Sequence, residues 1–385
     1  MNFELNESQR VLEEAVRGFA AAEVAPHATK WDREERFPRE IIPKLAALGL
    51  LGMAAPEAYG GSGLDMTSVS VVIEEIARHD GSLALTIASH NGLASAHIAR
   101  QGNDAQKRRW LPRLARGEAL GAWCLTEPGS GSDAAGGMQT RAERRGGDWV
   151  INGTKMFITQ GSVGDIYVVL AQTGPNKQHG ITAFVVERGS SRGVSVGKHL
   201  EKLGMRSSDT TEVVFEDCVV PDENRLGDVD KGFQGALGVL ERGRISIASL
   251  ALGIHRGALE EGRKYALERV AFGKPIAENQ AIQWMIADMA TTYEASRLLV
   301  RRAAAMQDAG LRTPFEAAAA KLFASEAATR ACDRAIQIHG GYGYIREFPV
   351  ERYWRDAKLC EIGEGTSEIQ RLVIARQILK NGLRV

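Results

Sequence analysis

The chain changes its hydrophobic period twice, and that limits its architecture more than any single motif. Up to about residue 120 apolar residues recur at helical spacing. Asn6 and Gln9 form a capping-box pattern ahead of Val11, Leu12, Ala15, Val16 and Phe19, and the helix stops near Pro26. Gly60-Gly61-Ser62-Gly63 and Gly102-Asn103 punctuate the rest of this part. From about Gly121 to Gly227 the period becomes two. Trp149-Val150-Ile151 and Lys155-Met156-Phe157-Ile158-Thr159 flank Asn152-Gly153, a pair suited to a type I′ hairpin turn. Residues 166–171, 182–186 and 211–215 read as further strands. Beyond Pro221-Asp222-Glu223-Asn224 the helical period returns and lasts to the end. The stretch from Ile245 to Leu259 is apolar nearly all round, so it calls for a buried helix. Ile282, Met285, Ile286, Met289 and Tyr293 form one stripe, and a helix over 322–338 ends at His339-Gly340-Gly341-Tyr342-Gly343. The expected fold is α+β in three domains: helices over 1–120, a β-barrel or sandwich over 121–227, and a four-helix bundle over 228–385.

Charge and cysteine usage narrow the function. Lys+Arg and Asp+Glu both number 48 in 385 residues, which leaves no net charge to favour nucleic acid or an anionic membrane. The most apolar run, Ile245–Ile254, is shorter than the roughly 20 residues a membrane helix needs. The first residues carry neither an apolar signal core nor an Arg-rich pattern, and Cys124, Cys218, Cys332 and Cys360 are widely spread without C-x-x-C. These features predict a cytoplasmic protein with free thiols, no disulfides and no membrane insertion. No H-E-x-x-H occurs, and His90 and His97 lack a third partner, so no metal is expected.

Several segments have the texture of a ligand site. Glu364 lies between Gly363 and Gly365, on backbone free to press against a ligand, and Thr366-Ser367 are placed to cap a following helix. Thr126-Glu127-Pro128-Gly129-Ser130-Gly131-Ser132-Asp133 follows an apolar strand. Its glycines imitate the start of a dinucleotide fingerprint, but Ala134 stands at the third position and no strand–helix alternation surrounds it. Gly189-Ser190-Ser191-Arg192-Gly193 satisfies G-x-S-x-G in a charged turn between strands, not at a strand-to-helix elbow. Arg269, Phe272-Gly273-Lys274 and Gln280 form a corner between two long helices, and Gln337 leads into Gly340-Gly341-Tyr342-Gly343.

In their order and spacing these segments resemble the acyl-CoA dehydrogenases over nearly the whole chain. The resemblance rests on the 126–133 loop, Asn152-Gly153-Thr154-Lys155, Lys202-Leu203-Gly204-Met205-Arg206, Arg269-Val270-Ala271-Phe272-Gly273, Gln337 to Gly343, Arg355-Asp356-Ala357-Lys358 and Glu364 to Gln370. It implies FAD between the β domain and the bundle. Leu125, Thr126, Gly131 and Ser132 would face the flavin, with Phe157 and Thr159 beside its ring. Arg269, Phe272, Gln280, Gln337 and Gly341 would hold pyrophosphate and adenosine across a subunit boundary, and Thr366 and Glu368 would complete the cofactor site. On the substrate side, Glu241 and Arg244 would frame the pantetheine channel, near Ser132, Gly363 and Gly365, and Leu85 and Ser89 would line the distal pocket. Glu364 would be the base that removes the pro-R α-proton, with its pKa raised by burial. The resemblance further implies a homotetramer (a dimer of dimers) passing electrons to electron-transfer flavoprotein, in the chemistry of fatty-acid β-oxidation.

Two positions depart from common family patterns. Gly363 stands where many members have an aromatic residue, and Phe157 where several have tryptophan. The isovaleryl-specific branch also has glycine before the base position, but it draws its base from the buried helix, where this chain has Gly243. Gly363 is expected to widen the pocket and admit short, including branched, acyl chains. Two other readings share the fold: a flavin-dependent acyl-CoA oxidase, and a non-catalytic acyl-CoA-binding subunit.

Overall fold

The computed structural model describes residues 4–176 and 179–382. Among the described residues, α-helices come first: α1 (Glu7–Phe19), α2 (Ala25–Glu34), α3 (Ile42–Ala47), α4 (Met66–Ala77), α5 (Gly81–Ser89), α6 (Ala96–Gln101) and α7 (Asp104–Ala115). The Asn6/Gln9 capping box is formed, with Asn6 accepting from the Gln9 N–H and Gln9 reaching back to the Asn6 N–H.

The strands follow: β1 (Gly121–Cys124), β2 (Arg141–Arg145), β3 (Asp148–Thr159), β4 (Ile166–Gln172), β5 (Ile181–Glu187), β6 (Val194–His199), β7 (Thr210–Pro221) and β8 (Arg225–Leu226). They build one sheet in the order β6-β7-β3-β2-β4-β5-β8, with β1 parallel to β4. β4 and β5 are apolar at almost every position because both their faces are covered. Ile166, Val168 and Leu170 face Trp110, Leu111 and Leu114 of α7, while Tyr167 and Val169 join Ile151 and Phe215 in a core enclosed by the strands themselves.

One sequence expectation is corrected here. Asn152-Gly153 does not turn: β3 runs straight through it from Asp148 to Thr159. The turn lies at Gly146-Gly147, with Arg145 paired to Asp148. Gly153 marks a register shift against β7, and its glycine is required by proximity, since a Cβ there would lie 2.6 Å from the Thr140 Cα. The pattern that imitates a turn is a bulge with a neighbour pressed against it.

The last part contains α8 (Gly232–Glu268), a two-stranded ribbon of β9 (Val270–Ala271) and β10 (Lys274–Pro275), α9 (Gln280–Asp308), α10 (Pro314–His339), α11 (Val350–Ile362) and α12 (Ser367–Asn381). The helix expected over 322–338 begins earlier, at Pro314, which suits a first helical turn. Small residues bring the helices close. The alanine face of α10 (Ala317, Ala320, Ala324, Ala328, Ala331) is fully or almost fully buried, and a Cβ on Gly253 of α8 would lie 2.3 Å from the Glu74 carbonyl of α4. A charged layer joins α1 and α4 to the bundle: Arg17 and Arg256 both bond Glu75, at 2.9 and 2.7 Å, and Tyr293 donates to Glu74. The four cysteines are free and buried.

Candidate active site

Glu364 sits on the turn between α11 and α12. Gly363 ends α11 in extended backbone, Glu364 takes φ +52°, Gly365 takes φ +94°, and the Thr366 hydroxyl accepts from the Ile369 N–H (3.3 Å) to cap α12. A non-glycine residue at positive φ is strained, and here the strain aims the acid across the bundle at α8. The carboxylate lies where Gly243 has no side chain: a Cβ on Gly243 would be 1.7 Å from Oε2. That oxygen is buried and accepts from no described residue. Burial pushes the carboxyl up to about 7, against the opposing pull of the Lys321 and Arg244 cations. Arg244 is likewise held down by burial, and its Nε has no partner among the described residues. Unpaired buried groups of opposite charge, both facing one space, are the mark of a ligand site.

Glu241 is placed differently from its neighbour. Its Oε1 accepts from the Thr313 N–H (2.6 Å) and hydroxyl (3.2 Å), so the carboxylate holds the start of α10 and does not stand free. Leu85 and Ser89 are buried one turn apart on α5, which packs on α8.

A second group of residues gathers at the ends of β1 and β3. The Met156 N–H donates to the Thr126 carbonyl (2.8 Å), tying the loop after β1 to β3. Beneath this tie Lys155 and Glu127 form a fully buried ion pair at 2.8 Å. Lys155 also bonds the Leu125 carbonyl, while Glu127 accepts from the Gln139 and Thr140 N–H groups. β3 then breaks register, and Phe157, at φ +57°, projects its ring outward with 64% of its surface exposed. Thr159 is half-buried and pairs with Thr210, Leu125 is buried, Thr126 is half-buried, and Gly131 and Ser132 are exposed. The structure thus brings Leu125, Thr126, Phe157 and Thr159 onto adjoining backbone.

A third group forms an open cavity of about 390 Å³ where α8 and α10 end. Tyr265, Arg269, His339, Gly340, Gly341 and Tyr342 line it, and the Arg269 guanidinium lies 5.6 Å from the Tyr342 ring centre. Phe272, Gln280 and Gln337 are exposed outside this lining, and Phe272 is entirely uncovered. Thr366 is occupied by its capping bond, and Glu368 points to solvent. The sequence reading quoted Lys155 only within a motif and Gly243 only as an alternative base position; it missed the burial of Lys155, the role of Lys321 and the socket that Gly243 leaves for Glu364. A lysine directly after an alanine run was the available signal for Lys321.

Among the described residues no cluster of acidic, histidine or cysteine side chains could hold a metal, and no helix is long and apolar enough to cross a membrane. His90 and His97 serve the core instead. His90 Nδ1 accepts from the Gly121 N–H and Nε2 meets the Leu51 carbonyl, while His97 Nδ1 accepts from the Trp123 indole.

Models of the acyl-CoA dehydrogenase N-terminal, middle and C-terminal domains match residues 6–118, 122–218 and 230–379. The chain is 44% identical over 381 residues to the short-chain specific acyl-CoA dehydrogenase of Clostridium acetobutylicum, covering 99% of this chain and all of that one. It superimposes on butyryl-CoA dehydrogenase from Megasphaera elsdenii with a TM-score of 0.96 at 41% identity, covering 98% of this chain and 100% of the other. A chain from the structure of the electron transferring flavoprotein of Acidaminococcus fermentans gives 0.96 and 41%, with coverage of 99% and 100%. With three domain models in order and relatives matched end to end, the chain belongs to the acyl-CoA dehydrogenase family, flavin-dependent enzymes of mixed α+β fold.

Proposed function

We propose that this enzyme desaturates short acyl-CoA thioesters between Cα and Cβ to trans-2-enoyl-CoA, with FAD as cofactor and electron-transfer flavoprotein as acceptor. The observation that carries the reading is Glu364: a buried carboxyl near neutrality, with one oxygen unpaired and directed into the space beside α8. At this pKa the group is substantially ionised at neutral pH and still basic enough to take an activated α-proton. The Glu364 backbone N–H has no acceptor among the described residues, and it suits the thioester oxygen, which gains negative charge as the proton leaves. Arg244 and Glu241 frame the pantetheine, with Ser132 at the loop edge and Leu85 and Ser89 towards the acyl end.

The residues present fit FAD. An exposed ring at Phe157 offers a stacking face, with Leu125 and Thr126 on the loop tied to the same strand, and Thr159, Gly131 and Ser132 would add to the flavin site. The Arg269–Gly341 cavity suits a pyrophosphate, with Phe272, Gln280 and Gln337 completing an adenosine site in a neighbouring subunit. Thr366 and Glu368 close the cofactor site beside the base. When bound, FAD supplies the hydride acceptor for Cβ. Val270, Phe272, Trp284 and Tyr344 are exposed apolar side chains of the kind that a homotetramer, a dimer of dimers, would cover. The functional division of the chain falls near residues 120 and 227, and its compartment is the cytoplasm.

Gly363 sets the acyl preference. A Cβ there would meet only Leu359, at an ordinary 3.5 Å, so local packing does not demand a glycine. Next to the base, the missing side chain would leave room for short branched chains. The test is anaerobic loss of the flavin's visible absorbance on adding butyryl-, isobutyryl-, isovaleryl- or octanoyl-CoA to wild type and Glu364→Gln. Short straight and branched substrates should bleach wild type, and the variant should bind without bleaching. Preference for octanoyl-CoA would overturn the substrate assignment, and bleaching of the variant would overturn the base.

A further inference from the structure

Lys321 follows the alanine run Ala317-Ala318-Ala319-Ala320 on α10 and is fully buried. A buried ammonium is costly unless paired, and burial holds its pKa down to about 8. No described carboxylate lies within ion-pair distance of it. Its hydrogen bond goes instead to the Gly365 carbonyl (2.8 Å), the residue directly after the base. The same carbonyl accepts from Gln370 Nε2 (2.8 Å), which also reaches the Glu364 carbonyl (3.3 Å). Both carbonyls of a turn with positive φ at each residue are therefore held from the interior side.

We propose that Lys321 is a positioning residue for Glu364: it fixes the turn that presents the carboxylate and supplies positive charge that favours its ionised form. The proposal rests on the reading of Glu364 as the base. Gln370 shares the first task but brings no charge. The charged and titratable groups facing this pair are Arg244 from α8, Cys360 and Glu361 from α11, and Glu368 at the start of α12. Of the cations acting on Glu364, Lys321 has the larger effect and Arg244 the smaller. The charge thus opposes desolvation and keeps the base usable at neutral pH.

The test uses flavin-loaded enzyme and butyryl-CoA, following the anaerobic rate of flavin reduction against pH together with kcat, KM and flavin content. Lys321→Gln keeps an N–H donor for the Gly365 carbonyl and removes the charge. Losing a nearby cation disfavours the carboxylate, so the midpoint of the pH profile should move to alkaline pH by about one unit, with KM little changed. Lys321→Met also removes the hydrogen bond, and its kcat should fall about tenfold below that of Lys321→Gln, a modest misplacement cost. Gln370→Leu loosens the turn but leaves the charge, so kcat should fall with the midpoint in place. Lys321 variants with a wild-type midpoint would overturn the electrostatic role. Wild-type kcat in Gln370→Leu would overturn the clamp even if the Lys321 variants did not fold. Failure of wild type itself to bleach would instead sink the proposed reaction on short acyl-CoA thioesters, on which the reading of Glu364 rests.

Discussion

Adding one methyl group to α8 should separate catalysis from stability. In Gly243→Ala the new Cβ would fall 1.7 Å from the Glu364 Oε2 and 2.7 Å from its Cδ. Side-chain contacts under 3.0 Å are essentially never seen at a Cβ, so the carboxylate must retreat by at least about 1.3 Å. The obstacle is the far end of a flexible side chain, so rotation of Glu364 relieves the clash at little cost to the fold. Replacing a glycine inside a helix also favours the helix by about 0.5–1 kcal/mol. Stability should therefore hold or rise slightly. Proton removal should suffer, since about 1 Å of misplacement costs roughly 100-fold, or about 2.7 kcal/mol of barrier. The assay is the single-turnover rate of flavin reduction by butyryl-CoA, with melting temperature and flavin content read on the same samples. Gly262→Ala, on the same helix but away from Glu364, is the control for the added methyl group, because its Cβ meets only ordinary contacts of 3.4 Å and more. A Gly243→Ala enzyme that is fully loaded, as stable as wild type and equally fast would refute the placement of the base against α8.

Two further predictions concern buried charge. Lys155→Met leaves Glu127 buried without its cation; it should cost about 3–5 kcal/mol in denaturant unfolding and weaken flavin retention by releasing the Leu125–Thr126 loop, and a loss below about 1 kcal/mol would show that the pair does not hold that loop. Asp356 is buried, accepts from the Met205 N–H, and is pushed up to about 7 by burial, with Arg352 lowering it and Asp32 and Asp80 raising it. A carboxyl raised in the folded state stabilises fully below its unfolded value near 3.8, and that stability is lost as pH rises towards 7. Asp356→Asn keeps an acceptor for Met205 and does not ionise, so its stability relative to wild type should improve from pH 5 to pH 8; equal differences at both pH values would contradict the burial argument.

The order of helical, strand and helical domains was legible because burial on one face writes a period of 3.6 or 2 directly into the residues. The Asn6/Gln9 cap was equally legible, being a contact between residues three apart. Glu364 could be singled out as a candidate from its flanking glycines, since backbone freedom is a property of the residue type. Asn152-Gly153 was misread for the same reason: its local preference for a turn yields to Thr140, a neighbour that no local pattern names. What only the tertiary structure decided are relations between distant residues. Glu364 and Gly243 lie 121 positions apart; the resemblance links them as alternative base positions, but only packing of α8 against the α11–α12 turn shows that the carboxylate fills the gap at Gly243. Lys321 looks like any helix lysine until its burial and its bond to Gly365 are seen. Local chemistry is a property of residues and can be read along the chain; a raised pKa, a socket or a clamp is a property of distances, which come into being only when the chain has folded.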